Sequence, residues 1–144
     1  MKVHTNNGAV KVAILSPTAD VIMIMNPERD DPKWGLPGGT LEDGETVLGA
    51  AVREIKDETG LVLEETDIKL VHPESTGFPY CPSLCLAVLD QEHFNRHHRT
   101  GDENGDLLLV KAFTLDEALS MTNVLWRHQK FVKELAVAFA AQTV

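Results

Sequence analysis

Residues Gly38 to Leu61 read GGTLEDGETVLGAAVREIKDETGL, and this stretch decides the fold. Val47, Leu48, Ala51, Val52 and Ile55 recur at helical spacing, which predicts a helix from Thr46 to Thr59 with one apolar face. Glu54, Asp57 and Glu58 stand at i, i+3 and i+4, so three carboxylates share another face. Like charges at that spacing weaken a helix by about a few tenths of a kcal/mol. Carboxylates gathered at such a cost suit a hard divalent cation, Mg²⁺ or Mn²⁺. Gly60 suits the left-handed residue that ends a helix. Upstream, Gly35-Leu36-Pro37-Gly38-Gly39 predicts a loop whose backbone can approach a ligand closely.

At these residues the chain resembles the Nudix hydrolases, whose signature is G-x5-E-x7-R-E-U-x-E-E-x-G-U with U aliphatic. Gly39, Glu45, Arg53, Glu54, Ile55, Glu58, Gly60 and Leu61 all match, and Trp34-Gly35-Leu36-Pro37-Gly38 is similar to the family's lead-in. Asp57 is the one departure, where the family usually has Glu. It keeps the charge and reaches one methylene less, which leaves open direct or water-mediated contact with a metal. So many fixed residue types at fixed spacing outweigh the plainer reading, an amphipathic helix with a solvated acidic face.

The resemblance implies an α+β chain folded as an α/β/α sandwich with a mixed sheet. It implies a metal held by Glu54, Asp57, Glu58 and the carbonyl of Gly39, with Glu45 pairing to Arg53 to orient the carboxylates. It also implies a further acidic residue from a distal loop, for which Asp102, Glu103 and Asp106 are the candidates. Glu103 and Asp106 are the better two, standing just before a predicted strand. Glu54, Arg53, Glu45 and Glu103 form the expected catalytic set, with the proton acceptor open between the helix and the loop.

Composition agrees with a phosphate-handling enzyme. At 144 residues the chain suits one domain over 1–144, large enough to bury a core. No apolar run approaches the roughly 18 residues of a membrane span, and no signal-peptide core opens the chain. Cys81 and Cys85 make neither a disulfide framework nor a C-x2-C metal pair, so a reducing cytoplasmic home is expected. A net charge of −9 argues against nucleic-acid and membrane partners. An acidic protein that binds phosphates needs a cation between the two. A homodimer is left open.

Taken in order, Val10, Val12 and Ile14 alternate with Lys11 and Ala13 as a half-buried strand, and Val21 to Met25 completes a predicted hairpin. Trp34 is expected to pack beneath the glycine loop rather than stack on a base. Ile68 to Val71, Ser83 to Leu89 and Leu107 to Phe113 read as strands, with Cys85 a buried hydrophobe. His72 to Pro82 reads as a ligand-framing loop. Asp90 to Asp106 reads as a long polar loop with solvated histidines, ordered only when ligand arrives. Thr114 and Glu117 make a capping box for a short helix, and Asn123 is expected to cap a last one. His128 falls on that helix's apolar face as a packed core histidine.

The expected function is metal-dependent hydrolysis of a nucleoside diphosphate linked to another moiety. Nucleoside triphosphates, ADP-ribose, dinucleoside polyphosphates and nucleotide sugars all remain open as this small-molecule substrate. Pro79 and Tyr80 lie where some family branches carry substrate-linked residues, at spacing that decides nothing. The alternatives are a Nudix domain that senses nucleotide without turnover and a plain acidic interaction module.

Overall fold

A computed structural model describes residues 8–73, 82–100 and 107–142. Six strands form one mixed sheet: β1 (Ala9–Leu15), β2 (Val21–Met25), β3 (Gly38–Thr40), β4 (Lys69–His72), β5 (Ser83–Val88) and β6 (Leu109–Phe113). Their order is β4-β5-β1-β2-β6, with β3 paired to β1. Only β1 and β5 run parallel; the other pairs are antiparallel. The helices are α1 (Val47–Thr59), α2 (Gln91–Phe94), α3 (Leu115–Ser120) and α4 (Trp126–Gln142).

Two cores, one on each face of the sheet, make the α/β/α sandwich. Val10, Val12, Ile14 and Ile22 pack with Ala51 and Ile55 of α1. Ala13, Leu15, Val21 and Met23 pack with Ala118 of α3 and Phe131, Val132 and Leu135 of α4. The half-buried reading of β1 is therefore corrected: Val12 to Leu15 are all fully buried. A central strand covered by helices on both sides has no solvent face, so alternation fades there. Burying Ile55 alone contributes about 1.5–3 kcal/mol of transfer free energy.

The predicted hairpin forms, but only next to its turn. β1 and β2 pair only at Leu15 and Val21, beside the turn. Beyond that point residues 35–40 wedge between them. Gly35 bridges Ile24 of β2, the Val12 N–H donates to the Pro37 carbonyl at 2.9 Å, and β3 pairs with Ala9 to Lys11. The predicted glycine loop is thus partly a strand. The room its glycines leave is filled by the protein itself.

The polar loop after β5 differs from expectation in its first part. Asp90 caps α2 by accepting the His93 N–H at 2.8 Å, and Phe94 is buried in the α1-side core. Downstream, the His98 N–H donates to the Thr59 carbonyl at 2.9 Å. Phe94 supplies the apolar anchor that a count of charges concealed. α2 ends before His97, whose Nδ1 pairs with the Phe94 carbonyl, so His93 and His97 do not share a helical face for a metal. Asn123 does not cap α4; its carbonyl accepts the Trp34 N–H and the helix begins at Trp126. The Thr114–Glu117 capping box forms as predicted.

Candidate active site

α1 begins where Thr46 Oγ1 accepts the Gly49 N–H and ends where Gly60, at φ 78°, turns its N–H to the Lys56 carbonyl. This left-handed conformation costs an L side chain about 1–2 kcal/mol, so glycine is placed here for a physical reason. The helix faces β3 across the signature residues. Arg53 stands at the centre of that contact. Its Nε and Nη2 donate to both oxygens of Glu45 at 2.8 Å each, and its Nη1 donates to Glu54 Oε1 at 2.8 Å. Nη2 also reaches the Thr40 carbonyl at 3.2 Å, tying α1 to β3. The hydrogen-bonded Arg53 guanidinium holds the Glu45 carboxyl down to about 2.

Glu54 rests against Gly39. A Cβ built on Gly39 would lie 2.8 Å from the Glu54 carboxyl carbon and Oε1, closer than real contacts allow. Gly38, at φ 144°, has the Val10 backbone in the place of its missing side chain. Its N–H donates to Glu58 Oε1 at 2.7 Å, and its carbonyl accepts Lys11 Nζ at 3.2 Å. Burial pushes the Glu58 carboxyl up to about 7, with Glu54 and Asp57 adding to the rise. The Gly38 N–H and Lys11 pull the other way and do not cancel it. Burial lowers the Lys11 ammonium against the opposing pull of Glu58 and Glu54.

Glu45, Arg53, Glu54, Glu58 and Gly39 are therefore brought together. Asp57, half-buried on the same helix, is near enough to act on the Glu58 charge. Glu103, Asp102 and Asp106 lie outside the described residues, as do Phe78, Pro79, Tyr80 and Cys81. Cys85 is fully buried in β5, and burial pushes its thiol up to about 11, as suits an inert core position. Trp34 packs edge-on against Phe113, ring centroids 4.9 Å apart, which fits the packing role.

A divalent cation fits this donor set. Glu54, Glu58 and the adjacent backbone offer hard oxygens, and Glu58 is a buried carboxylate with Glu54 and Asp57 close enough to act on its charge. Among the described residues no three His, Cys, Asp or Glu side chains form a ready cage. Mg²⁺ does not require one, since it keeps several waters and needs only one or two carboxylates.

Beside Glu58 a cavity of about 500 Å³ opens where β1 and β2 splay, lined by residues including Lys11, Ile24, Arg29, Leu36, Leu125 and His128. His128 confirms the expected core histidine, with a contact that helical spacing could not show. Its Nδ1 accepts the Leu36 N–H at 2.9 Å, linking α4 to the glycine segment across 92 residues of sequence.

An α/β/α sandwich with this signature helix is the architecture of a Nudix protein. A family model described as the NUDIX domain matches residues 5–135, and the chain belongs to that family. It is 34% identical over 79 residues to the 8-oxo-dGDP phosphatase NUDT18 of Mus musculus, covering 54% of this chain and 24% of that protein. It is 34% identical over 53 residues to the RNA pyrophosphohydrolase of Dinoroseobacter shibae, covering 37% of this chain and 33% of that protein. The chain spans no more than about a third of the length of these curated relatives. In fold, it superposes on a mutT/nudix family protein from Listeria innocua with a TM-score of 0.68 at 20% identity, covering 97% of this chain and 98% of that one. A C. elegans Ap4A hydrolase gives 0.67 at 16% identity, covering 92% and 98%. Among the described residues no helix is long and apolar enough to cross a membrane.

Proposed function

We propose that the chain is a Mg²⁺- or Mn²⁺-dependent pyrophosphohydrolase of the cytoplasm, cleaving the diphosphate linkage of a nucleoside diphosphate joined to another moiety. The observation that carries this reading is the Arg53 clamp, which fixes Glu54 against Gly39 one helical turn from buried Glu58. Glu54, Glu58 and the Gly39 carbonyl would hold the ion, with Asp57 reaching it directly or through water. A bound divalent ion supplies charge neutralisation for the diphosphate oxygens and a lowered pKa for a water.

The remaining work falls to the chain's own groups. Arg53 and Glu45 keep Glu54 in place, so the carboxylate does not have to be ordered when substrate arrives. Lys11, already hydrogen-bonded to the Gly38 carbonyl, carries positive charge into the cavity where phosphates would lie. Glu54, Glu103 or Asp106 takes the proton of the attacking water. Relatives named 8-oxo-dGDP phosphatase and RNA pyrophosphohydrolase act on nucleotide phosphates, which supports the substrate class.

The test is a panel of nucleoside triphosphates, ADP-ribose, dinucleoside polyphosphates and nucleotide sugars, with Mg²⁺ or Mn²⁺ and product identification. At least one should yield a nucleoside phosphate by cleavage within its phosphate chain. No turnover of any of them with either ion would overturn the reading. With the best substrate, Glu103→Gln should lower kcat at least about tenfold with an unchanged melting temperature. Full kcat in Glu103→Gln, in Asp106→Asn and in the double variant would assign proton acceptance to α1.

A further inference from the structure

The cavity beside Glu58 holds a polar group that the proposed hydrolysis does not use. His128 is buried to 7% exposure, and its Nδ1 is occupied by the Leu36 N–H. A neutral imidazole that accepts at Nδ1 carries its proton on Nε2, so the backbone fixes the tautomer. Nε2 has no protein partner among the described residues. Nor is it sealed in, because the one buried, unpartnered side-chain nitrogen or oxygen among those residues is Thr100 Oγ1. His128 itself lines the cavity.

We propose that His128 is a specificity-determining residue whose Nε2–H donates to the carbonyl at purine C6 or pyrimidine C4 of a nucleotide base in this cavity, selecting a carbonyl over an amine at that position. The inference rests on the proposed nucleotide substrate and adds which bases it carries. Apolar Ile24, Leu36 and Leu125 line the same cavity as His128, as suits a flat heterocycle. Burial, with help from Lys11, pushes the imidazole down to about 4, so the donor is neutral near pH 7 and suits a carbonyl better than a phosphate. Two other polar lining groups have partners: Asn26 Oδ1 accepts the Glu28 N–H at 3.0 Å, and Asp31 pairs with Lys33 at 3.6 Å. An exocyclic amine opposite Nε2–H would set donor against donor, and sites built around one hydrogen bond discriminate strongly against its loss. Gly35 keeps this geometry open, since a Cβ there would lie 2.9 Å from His128 Nδ1.

The experiment is calorimetric binding of IMP against AMP, and UMP against CMP, to the full chain without metal. Wild type should favour the carbonyl member of at least one pair by tenfold or more. His128→Asn keeps an acceptor for the Leu36 N–H and loses the Nε2–H donor. It should bring that ratio to about one, with a melting temperature within a few degrees of wild type. In the unmodified protein, the His128 Nε2–H resonance should shift on adding the preferred nucleotide and not on adding inorganic phosphate. No preference in wild type, an unchanged ratio in His128→Asn, or a still resonance would each overturn the inference. Turnover of triphosphates without base preference would reject this inference and leave the hydrolase standing. Carbonyl-selective binding without turnover would do the reverse.

Discussion

Glu58→Gln should lower kcat by roughly 10²–10³-fold while leaving the fold as stable as wild type or more so. The amide keeps an oxygen for the Gly38 N–H, which Glu58 accepts at 2.7 Å. What it removes is a charge whose burial beside Glu54 and Asp57 pushes the carboxyl up to about 7. In the folded protein that elevated value means the charge is disfavoured, and its loss relieves the helix above pH 7. Activity and stability should therefore move in opposite directions, which a merely structural role would not produce. Asp57→Asn, one methylene shorter in reach, should be milder if Asp57 acts through water. Equal losses would make it a direct ligand. Steady-state kinetics at saturating Mg²⁺ with thermal melts at pH 8 distinguish these outcomes, and near-wild-type turnover in Glu58→Gln would remove it from the site.

Arg53→Lys should lower kcat by roughly 10- to 100-fold with little change in KM, as expected for a group that positions a ligand residue. A lysine keeps the charge but cannot donate in parallel to both Glu45 oxygens and also to Glu54. The side chains of this trio are 17–23% exposed, so solvent partly screens the pairs and the stability cost should be about 1 kcal/mol. Kinetics and denaturant melts on the same samples check the split. A large KM change with unaltered kcat would make Arg53 a substrate-binding group instead.

The signature helix was legible because its information is local. Apolar spacing set the buried face of α1, Thr46 and Gly60 set its ends, and fixed offsets gathered Glu45, Arg53 and Glu54. The capping box at Thr114 was readable for the same reason. What escaped the sequence depends on partners far along the chain. Gly38 to Thr40 carry no strand propensity, yet they pair with β1 because β1 and β2 splay and leave unpaired backbone between them. Gly39 and Gly35 look like ligand-facing glycines, but Glu54 and His128 occupy the space beside them. Ala13 looked solvent-facing until α3 and α4 covered it. Phe94 was one apolar residue among many charges, and only its depth in the core reveals that it anchors the connection. His128 was placed correctly on an apolar face, while its bond to Leu36 lay beyond any local pattern.

The central claim is that Glu54 and Glu58 hold a divalent ion, and Mn²⁺ binding followed by electron paramagnetic resonance tests it without any choice of substrate. Wild type should bind Mn²⁺ at a specific site, and Glu58→Gln and Glu54→Gln should each weaken that binding by at least about tenfold. Equal Mn²⁺ affinity in wild type and both variants would contradict the account.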